Sequence, residues 1–316
     1  MNPPRVSAVV PNYNHARHLP QCLGALLQQS VLPHEIIVVD DGSTDDSLAV
    51  LREWSARSPL IQVHRNARNQ GVVAAMNRGL EIATGDFVAF LAADDEVLPG
   101  LFEHTLPMAA QHPECGLVSG LSEWRDEARG LTWLHGTTMP NRACYVSPNE
   151  MVRLAKAGRL AMSGQNALFR KAALVAAGGW IPDLRWHTDW FGACVVAFRH
   201  GICHVPEVLS IFNLRPASYY STARSWSERR AVLDRLLELL ESGTCSDVAP
   251  RICASGMLGG FGVPMLRVVA GQRRYWRFLN AGFLRRAGRR GAEAFGRRFL
   301  PRTLARACIR VFYGKP

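Results

Sequence analysis

The chain of 316 residues has eight cysteines (Cys22, Cys115, Cys144, Cys194, Cys203, Cys245, Cys253 and Cys308), and no two of them form a CxxC pair. That scatter indicates neither a zinc site nor a disulfide framework, and reduced thiols in a cytosolic compartment are expected. No apolar run reaches the roughly 18 residues that a bilayer-spanning helix needs. Val263 to Ala270 is too short and contains Pro264. The opening residues, MNPPRVSAVVPNYN, lack the apolar core of a signal peptide. Acid is scarce in one region only. From Pro264 onward 13 Arg and one Lys face Glu293 alone, whereas the first 263 residues carry 23 basic and 25 acidic groups. The net charge of +11 therefore belongs to the tail, which implies an appendage that meets something anionic.

What is present is alternation. Val6 to Val10 is a short apolar strand ending in Pro11-Asn12-Tyr13-Asn14, and the spacing of Leu19, Cys22, Leu23, Leu26 and Leu27 predicts a helix from about Leu19 to Gln29. Glu35 to Val39 is a second strand, delivering Asp40-Asp41-Gly42-Ser43-Thr44-Asp45. Ser43 or Thr44 is expected to cap a helix from about Asp45 to Ser55. Leu60 to His64 forms a third strand, Asn69-Gln70-Gly71 a turn, and Val72 to Ala83 a helix. The fourth strand, Phe87 to Leu91, is apolar on both faces and runs into Asp94, Asp95 and Glu96. Strands and helices joined by short connections predict an α/β fold with a parallel sheet covered on both faces.

Ligands of open α/β sheets bind outside the carboxyl ends of the strands, which is where these acids fall. Consecutive acids repel one another unless a cation sits among them. A divalent ion carrying a diphosphate fits, because Mg²⁺ is usually held by one or two carboxylates plus substrate phosphates. Tyr13 offers a flat ring for a nucleobase, or simply packs at the sheet edge. Asp40 and Asp41 can accept hydrogen bonds from a base N–H or from ribose hydroxyls. Acids there can also complement a helix dipole, a role that suits Asp45 and Asp46 better than Asp40.

The ordered stretches AVVPNYN, IIVVDDGSTDDS and NQGVVAAMNRGLEIATGDFVAFLAADD resemble the family 2 glycosyltransferases, inverting enzymes of GT-A fold, densely over residues 6 to about 98. The resemblance implies a Rossmann-like, mixed but mostly parallel sheet flanked by helices. It also implies transfer of a sugar from a nucleotide-sugar donor, usually a UDP-sugar, to a hydroxyl acceptor. By position, Pro11, Tyr13, Asp40, Asp41 and Asn69 would hold the donor, with Asp94 as metal ligand and Asp95 beside it. The cation would be Mn²⁺ or Mg²⁺. The family commonly has another acid where this chain has Ala92, so one carboxylate fewer should weaken the metal site.

Beyond Pro99 the pattern loosens. Leu101 to Gln111 reads as a helix and Gly116 to Ser122 as a strand. Trp124 to Pro148 is a polar, aromatic-dotted insertion to which no structure is assigned. A helix follows at Met151 to Ala157, then a strand and helix ending at Gly178-Gly179-Trp180. The family's catalytic base is usually an Asp at the start of a helix. Here that place is taken by Asp189, which a helix N-terminus is expected to keep ionised. An ordinary N-cap role is the alternative, and Asp183 is a second candidate for the base. After a strand at Ile202 to Val205, Arg215 stands where the resemblance places a diphosphate contact, and its guanidinium suits paired phosphate oxygens.

Residues 1–224 are thus expected to form the transferase domain, with a donor half to about 100 and an acceptor half over 101–224. Residues 225–316 would be a basic helical region. Trp226 to Glu241 is an amphipathic helix, and Thr244 to Pro250 a linker. Arginine pairs then alternate with Tyr275, Trp276, Phe278, Phe283, Phe295 and Phe299. This reads as an interfacial segment on anionic lipid at the cytoplasmic membrane face, as a helical cap folded on the domain, or, with no nucleic-acid module in sight, least well as a nucleic-acid surface. A glycan or lipid-linked acceptor, in polysaccharide or glycolipid assembly, follows from the resemblance. The competing functions are a sugar nucleotidyltransferase, which would want a glycine-rich loop after the first strand, and a non-catalytic sugar-binding or membrane-surface protein.

Overall fold

The structure, a computed structural model, describes residues 3–128, 130–162, 164, 166–214, 225–241 and 243–299. Strand and helix alternate through β1 (Val6–Asn12), α1 (Leu19–Leu27), β2 (Glu35–Asp40), α2 (Ser47–Arg57), β3 (Ile61–Arg65), α3 (Val72–Ile82) and β4 (Phe87–Phe90). The second half contains β5 (Glu96–Val97), α4 (Leu101–Gln111), β6 (Leu117–Asp126), β7 (Leu131–His135), β8 (Cys144–Val146) and α5 (Pro148–Lys156). It continues with β9 (Leu168–Arg170), α6 (Lys171–Ala176), α7 (Thr188–His200) and the long β10 (Ile202–Leu214). Helices α8 (Trp226–Glu241), α9 (Ala249–Ser255), α10 (Val263–Ala270) and α11 (Ala281–Phe299) follow.

One mixed sheet runs in the order β3-β2-β1-β4-β9-β6-β10-β5, with β7 added to β6 and β8 to β10. The first four strands are parallel, and β9 joins them antiparallel to both β4 and β6. The chain leaves β1 toward β2 on one side and returns to β4 on the other. The crevice between the ends of β1 and β4 is therefore the topological switch point where such sheets take ligands. Alternate residues of each strand feed opposite cores, as a period of two requires. Val6, Ala8, Val10, Ile36 and Val38 pack with α1, α2 and α4, while Val9, Ile37, Val39 and Val88 face α3 and α7.

Several expectations change. Asp46, not Ser43 or Thr44, occupies the N-cap of α2, and Asp45 Oδ1 accepts the Ser47 amide at 3.0 Å. The Trp124–Pro148 stretch is not without structure: β6 continues to Asp126 and pairs with β7 and β10. Its Glu123-Trp124-Arg125 run has no apolar signal, because neighbouring strands rather than a buried face hold it in line. The strand expected at Ile202 to Val205 runs on to Leu214 for the same reason. Thr244 to Pro250 is no linker, since Cys245, Val248 and Ala249 join the core.

The tail helices share the core that covers one face of the sheet. Leu236 and Leu237 of α8, Met265 of α10 and Phe283 of α11 are buried in it together with Phe191 and Val195 of α7. Of the aromatics that suggested a lipid-facing segment, Tyr275, Phe278 and Phe283 are buried and Trp276 is open, at 53%. Their apolar surface drives cap packing. Arg285 and Arg286 donate to the carbonyls of Lys156 and Ala155 at the end of α5, where a helix C-terminus favours cations. A close approach explains the glycine-rich Met257–Phe261 turn, since a Cβ on Gly259 would lie 2.2 Å from Phe283 O. No helix among the described residues is long and apolar enough to cross a membrane.

Candidate active site

The end of the sheet at the switch point is built from three loops tied to one another. After β1, Asn12 is buried and donates from Nδ2 to Asp40 Oδ1 at 2.9 Å and to Ser43 Oγ at 3.2 Å. Asn14 adopts the left-handed backbone (φ 56), which Asn tolerates better than most residues. Its Oδ1 accepts the Thr44 amide at 2.8 Å, and its own amide donates to Ser43 Oγ at 3.0 Å. Tyr13, held between these two asparagines, is left 40% exposed. Pro11 lies within β1 opposite Val39.

Asp40 and Asp41 differ although they are neighbours. Asp40 is fully buried, accepts Asn12 Nδ2 and the Ser43 amide, and has Arg65 Nε at 3.8 Å. Asp41 spends both oxygens on its own framework. It accepts Asn66 Nδ2 at 2.7 Å, the Gln70 amide at 3.0 Å and the Gly71 amide at 2.7 Å, and so fastens the turn that starts α3 to β2. Asn69 shapes the same turn, its Oδ1 accepting the Gly71 amide at 2.9 Å. Gly42 (φ 74) lets the turn come this close, because a Cβ there would meet the Arg68 backbone at 2.8 Å.

Past β4, Asp94 is half-buried and Asp95 is buried. Asp95 Oδ1 accepts the Asn213 amide at 3.0 Å, and Asn213 Nδ2 donates to Asp94 O at 3.3 Å. The negative field of the pair extends to Cys22. Burial first, then Asp95 and Asp94, push that thiol up to about 12. Among the described residues, no three His, Cys, Asp or Glu side chains converge as a metal site. A single carboxylate in a negative field still suits an ion whose remaining ligands come from a diphosphate.

Asp189 lies in the first turn of α7, after an N-cap at His187. The residue as a whole is exposed. Burial raises its pKa, and the backbone amides of Trp190 and Asp189 itself offset only part of that rise. Desolvation thus works against the pull of the helix N-terminus toward the ionised form. Trp190 N donates to Oδ1 at 2.7 Å. Gly164 flanks the other oxygen, since a Cβ at that glycine would stand 4.0 Å from Oδ2. Asp183 is instead engaged by Arg235 at 3.2 Å. Asn77 of α3 ties the first half of the chain to the second, exchanging two hydrogen bonds with the Trp180 backbone at 2.6 and 2.9 Å. Arg215 lies outside the described residues.

The sequence profile described as Glycosyl transferase family 2 matches residues 7–176, over half of the chain. The chain is a family 2 glycosyltransferase. The Escherichia coli (strain K12) protein named uncharacterized glycosyltransferase YibD is 34% identical over 41% of the chain and 37% of its own length, so that match spans little more than a third of the relative. The Erwinia amylovora protein named amylovoran biosynthesis glycosyltransferase AmsE is 29% identical over 64% of the chain and 74% of its own length. Among solved structures, S. aureus TarS 1-349 in complex with UDP-GlcNAc superposes with a TM-score of 0.63 at 17% identity, covering 98% of this chain and 89% of that one. The mannosyltransferase PcManGT from Pyrobaculum calidifontis, in complex with GDP-Man and Mn²⁺, gives 0.55 at 20% identity, over 97% and 79%. At those identities the structures speak for the GT-A fold of this glycosyltransferase and nothing finer.

Sequence reasoning overlooked Asn12, Asn14 and Gly164. Asn14 carried a signal, because Asn between a strand and a helix is a residue that can turn left-handed. Gly164 carried none.

Proposed function

We propose that this glycosyltransferase moves a sugar from a UDP-sugar to a hydroxyl acceptor with inversion, in polysaccharide or glycolipid assembly, and that Asp189 is its base. The observation carrying this reading is an exposed aspartate whose carboxylate is desolvated enough to be a better proton acceptor than an ordinary one. Asp189 takes the proton of the acceptor hydroxyl as that oxygen bonds to the anomeric carbon. The bond from that carbon to the β-phosphate oxygen breaks, and its electrons leave with the nucleoside diphosphate. Tyr13 stacks on the base, Asp40 accepts from the base or ribose, and Asp41 and Asn69 hold the loop that closes the nucleoside site. Pro11 fixes the strand end from which Tyr13 projects.

Asp94, with Asp95 beside it, would hold Mn²⁺ or Mg²⁺, and the ion when bound neutralises charge developing on the diphosphate. Arg215 is retained as a fixed cation for the same phosphates. Residues 1–224 serve as the transferase unit and 225–316 as its helical appendage. The exposed Trp226 and Val263 next to Arg229 and Arg267, with Trp276 elsewhere on the tail, favour an anionic cytoplasmic membrane surface as the tail's partner, where a lipid-linked acceptor would reside.

Calorimetric titration with UDP and GDP, each with and without Mn²⁺, tests the donor site. UDP is expected to bind more tightly than GDP, with an affinity that rises in Mn²⁺, and Asp94→Asn should lose most of the rise. Binding of neither nucleotide would overturn the reading.

A further inference from the structure

The segment that delivers Asp189 is held in a costly backbone shape. Among the described residues two non-glycine residues have positive φ, Asn14 and Arg185. Asn enters that region readily and Arg does not. Arg185 (φ 46, ψ −117) interrupts the helical turn Pro182–His187, which passes into α7 with no residue between. Asp189 follows four positions later. Upstream, the Asn77 side chain of α3 holds the Trp180 backbone. Alongside, α8 supplies two ion pairs. Glu228 Oε1 accepts Arg185 Nη1 at 3.3 Å, and Asp183 Oδ2 accepts Arg235 Nε at 3.2 Å. Glu228 is itself set for this contact, because its Oε2 accepts the Ser225 amide and hydroxyl at 3.0 Å each. We propose that Arg185 is a positioning residue: clamped by Glu228 of the tail, its strained turn sets where α7 begins and so where the Asp189 carboxylate stands. The inference rests on Asp189 as the base and adds how the tail holds it in place.

Stability alone does not account for this arrangement. An exposed ion pair contributes little to folding, and the Arg185 and Glu228 side chains are 52% and 47% exposed. A glycine at position 185 would take the same backbone without strain. Strained backbone persists where the surroundings over-determine it, and it clusters at functional sites. Leu184 is the fixed point of the turn, fully buried in the core that it shares with Leu233 and Leu236 of α8. Asp183 and Arg185, on either side of it, reach α8 at the edge of an open cleft of about 550 Å³. The turn is thus pinned at one residue and clamped at its two neighbours, so loss of the Arg185 clamp frees the start of α7 without opening the core. Both the turn and α8 lie beyond the family profile, which ends at residue 176.

The test is a carbon NMR titration of the aspartate carboxyls in the full chain, with the Asp189 signal identified by its absence in Asp189→Asn. Wild type is compared with Arg185→Gly, Arg185→Gln and Arg185→Lys, and urea denaturation follows the stability of each. Burial raises the Asp189 pKa, so a looser first turn of α7 that admits water should lower it. The expected fall in Arg185→Gly and Arg185→Gln is roughly half a pH unit or more. Arg185→Lys, which keeps a cation for Glu228, should stay near wild type, and the urea midpoint of Arg185→Gly should match or exceed that of wild type. The direction separates positioning from a field effect, because removing a nearby cation would by itself raise an aspartate pKa. A raised or unchanged value in Arg185→Gly and Arg185→Gln, or a fall that tracks a lower urea midpoint, would overturn the proposal. The titration needs no turnover, so a failure of the base assignment would show separately, as transfer that survives Asp189→Asn.

Discussion

At the end of β2 the carboxylate of Asp41 is buried and engaged by three donors, Asn66 Nδ2 and the amides of Gln70 and Gly71. At the start of α7 Asp189 is an exposed residue whose carboxylate, among the described residues, receives the Trp190 amide. Both are aspartates at the ends of elements that border the same sheet. The difference lies in what their oxygens are doing. Asp41 has both oxygens engaged and fixes a turn. Asp189 receives one amide among the described residues, and burial has raised its proton affinity. An acid whose hydrogen bonds are complete builds the site, whereas one left incomplete and crowded can act in it.

The largest effect should come from removing the incomplete acid. Asp189→Asn keeps the shape and the Trp190 contact but loses the base, and transfer should drop by roughly 10²–10⁴ in kcat, with UDP affinity unchanged in calorimetry. The direction of the pKa adds a second readout. A raised pKa means that Asp189 is protonated, and the wild-type rate lost, as pH falls through a value above the ordinary aspartate range. A wild-type profile that stays flat into that range would show that another group takes the proton. Removing the complete acid should act on the fold instead. Asp41→Ala strands the Asn66, Gln70 and Gly71 donors, at a cost of about 3 kcal/mol, measurable by urea denaturation, and donor affinity should fall with it because the turn that starts α3 loosens. Full stability in Asp41→Ala would collapse the contrast between the two acids.

The same contrast explains what could be read from residues alone. The first hundred or so residues were legible because their elements are local: apolar strands, short connections and acids delivered at strand ends. Each of α1, α2, α3 and α4 lies within two residues of its expected bounds. The place of Asp189 was legible too, although its proton affinity was not, since crowding depends on segments distant in the chain. Strands β7 and β8 were not legible. They are held by pairing with β6 and β10 rather than by a buried apolar run. The tail left two readings open for a related reason. Aromatics between arginine pairs look the same whether they face lipid or a neighbouring helix, and only the packing of Tyr275, Phe278 and Phe283 distinguishes the two. Phe261 against Trp190 joins residues about 70 positions apart, which no motif reports.

A third carboxylate, at the opposite end of the sheet, sharpens the comparison with the smallest effect. Glu35 is buried at the amino end of β2, away from every donor or acceptor residue. Its Oε1 accepts Ser7 Oγ, the Thr84 amide and Thr84 Oγ1, each at 2.7 Å, and Oε2 accepts Gln62 Nε2 at 3.1 Å. Burial alone would raise its pKa, but the Thr84 amide and the Ser7 and Thr84 hydroxyls outweigh burial and hold it below the usual glutamate value. A depressed folded pKa contributes stability above the unfolded pKa, and that stability is lost as pH falls through the folded value. Glu35→Gln should therefore cost about 1–2 kcal/mol near neutrality, and the gap to wild type should close in acid, as read by urea denaturation at several pH values. A gap as wide in strong acid as at neutrality would mean that shape, not charge, makes Glu35 the tie between β1, β2, β3 and the entry to β4. Asp189 behaves in the opposite sense: its raised pKa disfavours the charged form in the folded state, so the feature that equips it for proton transfer is also one that Glu35, built for stability, does not have.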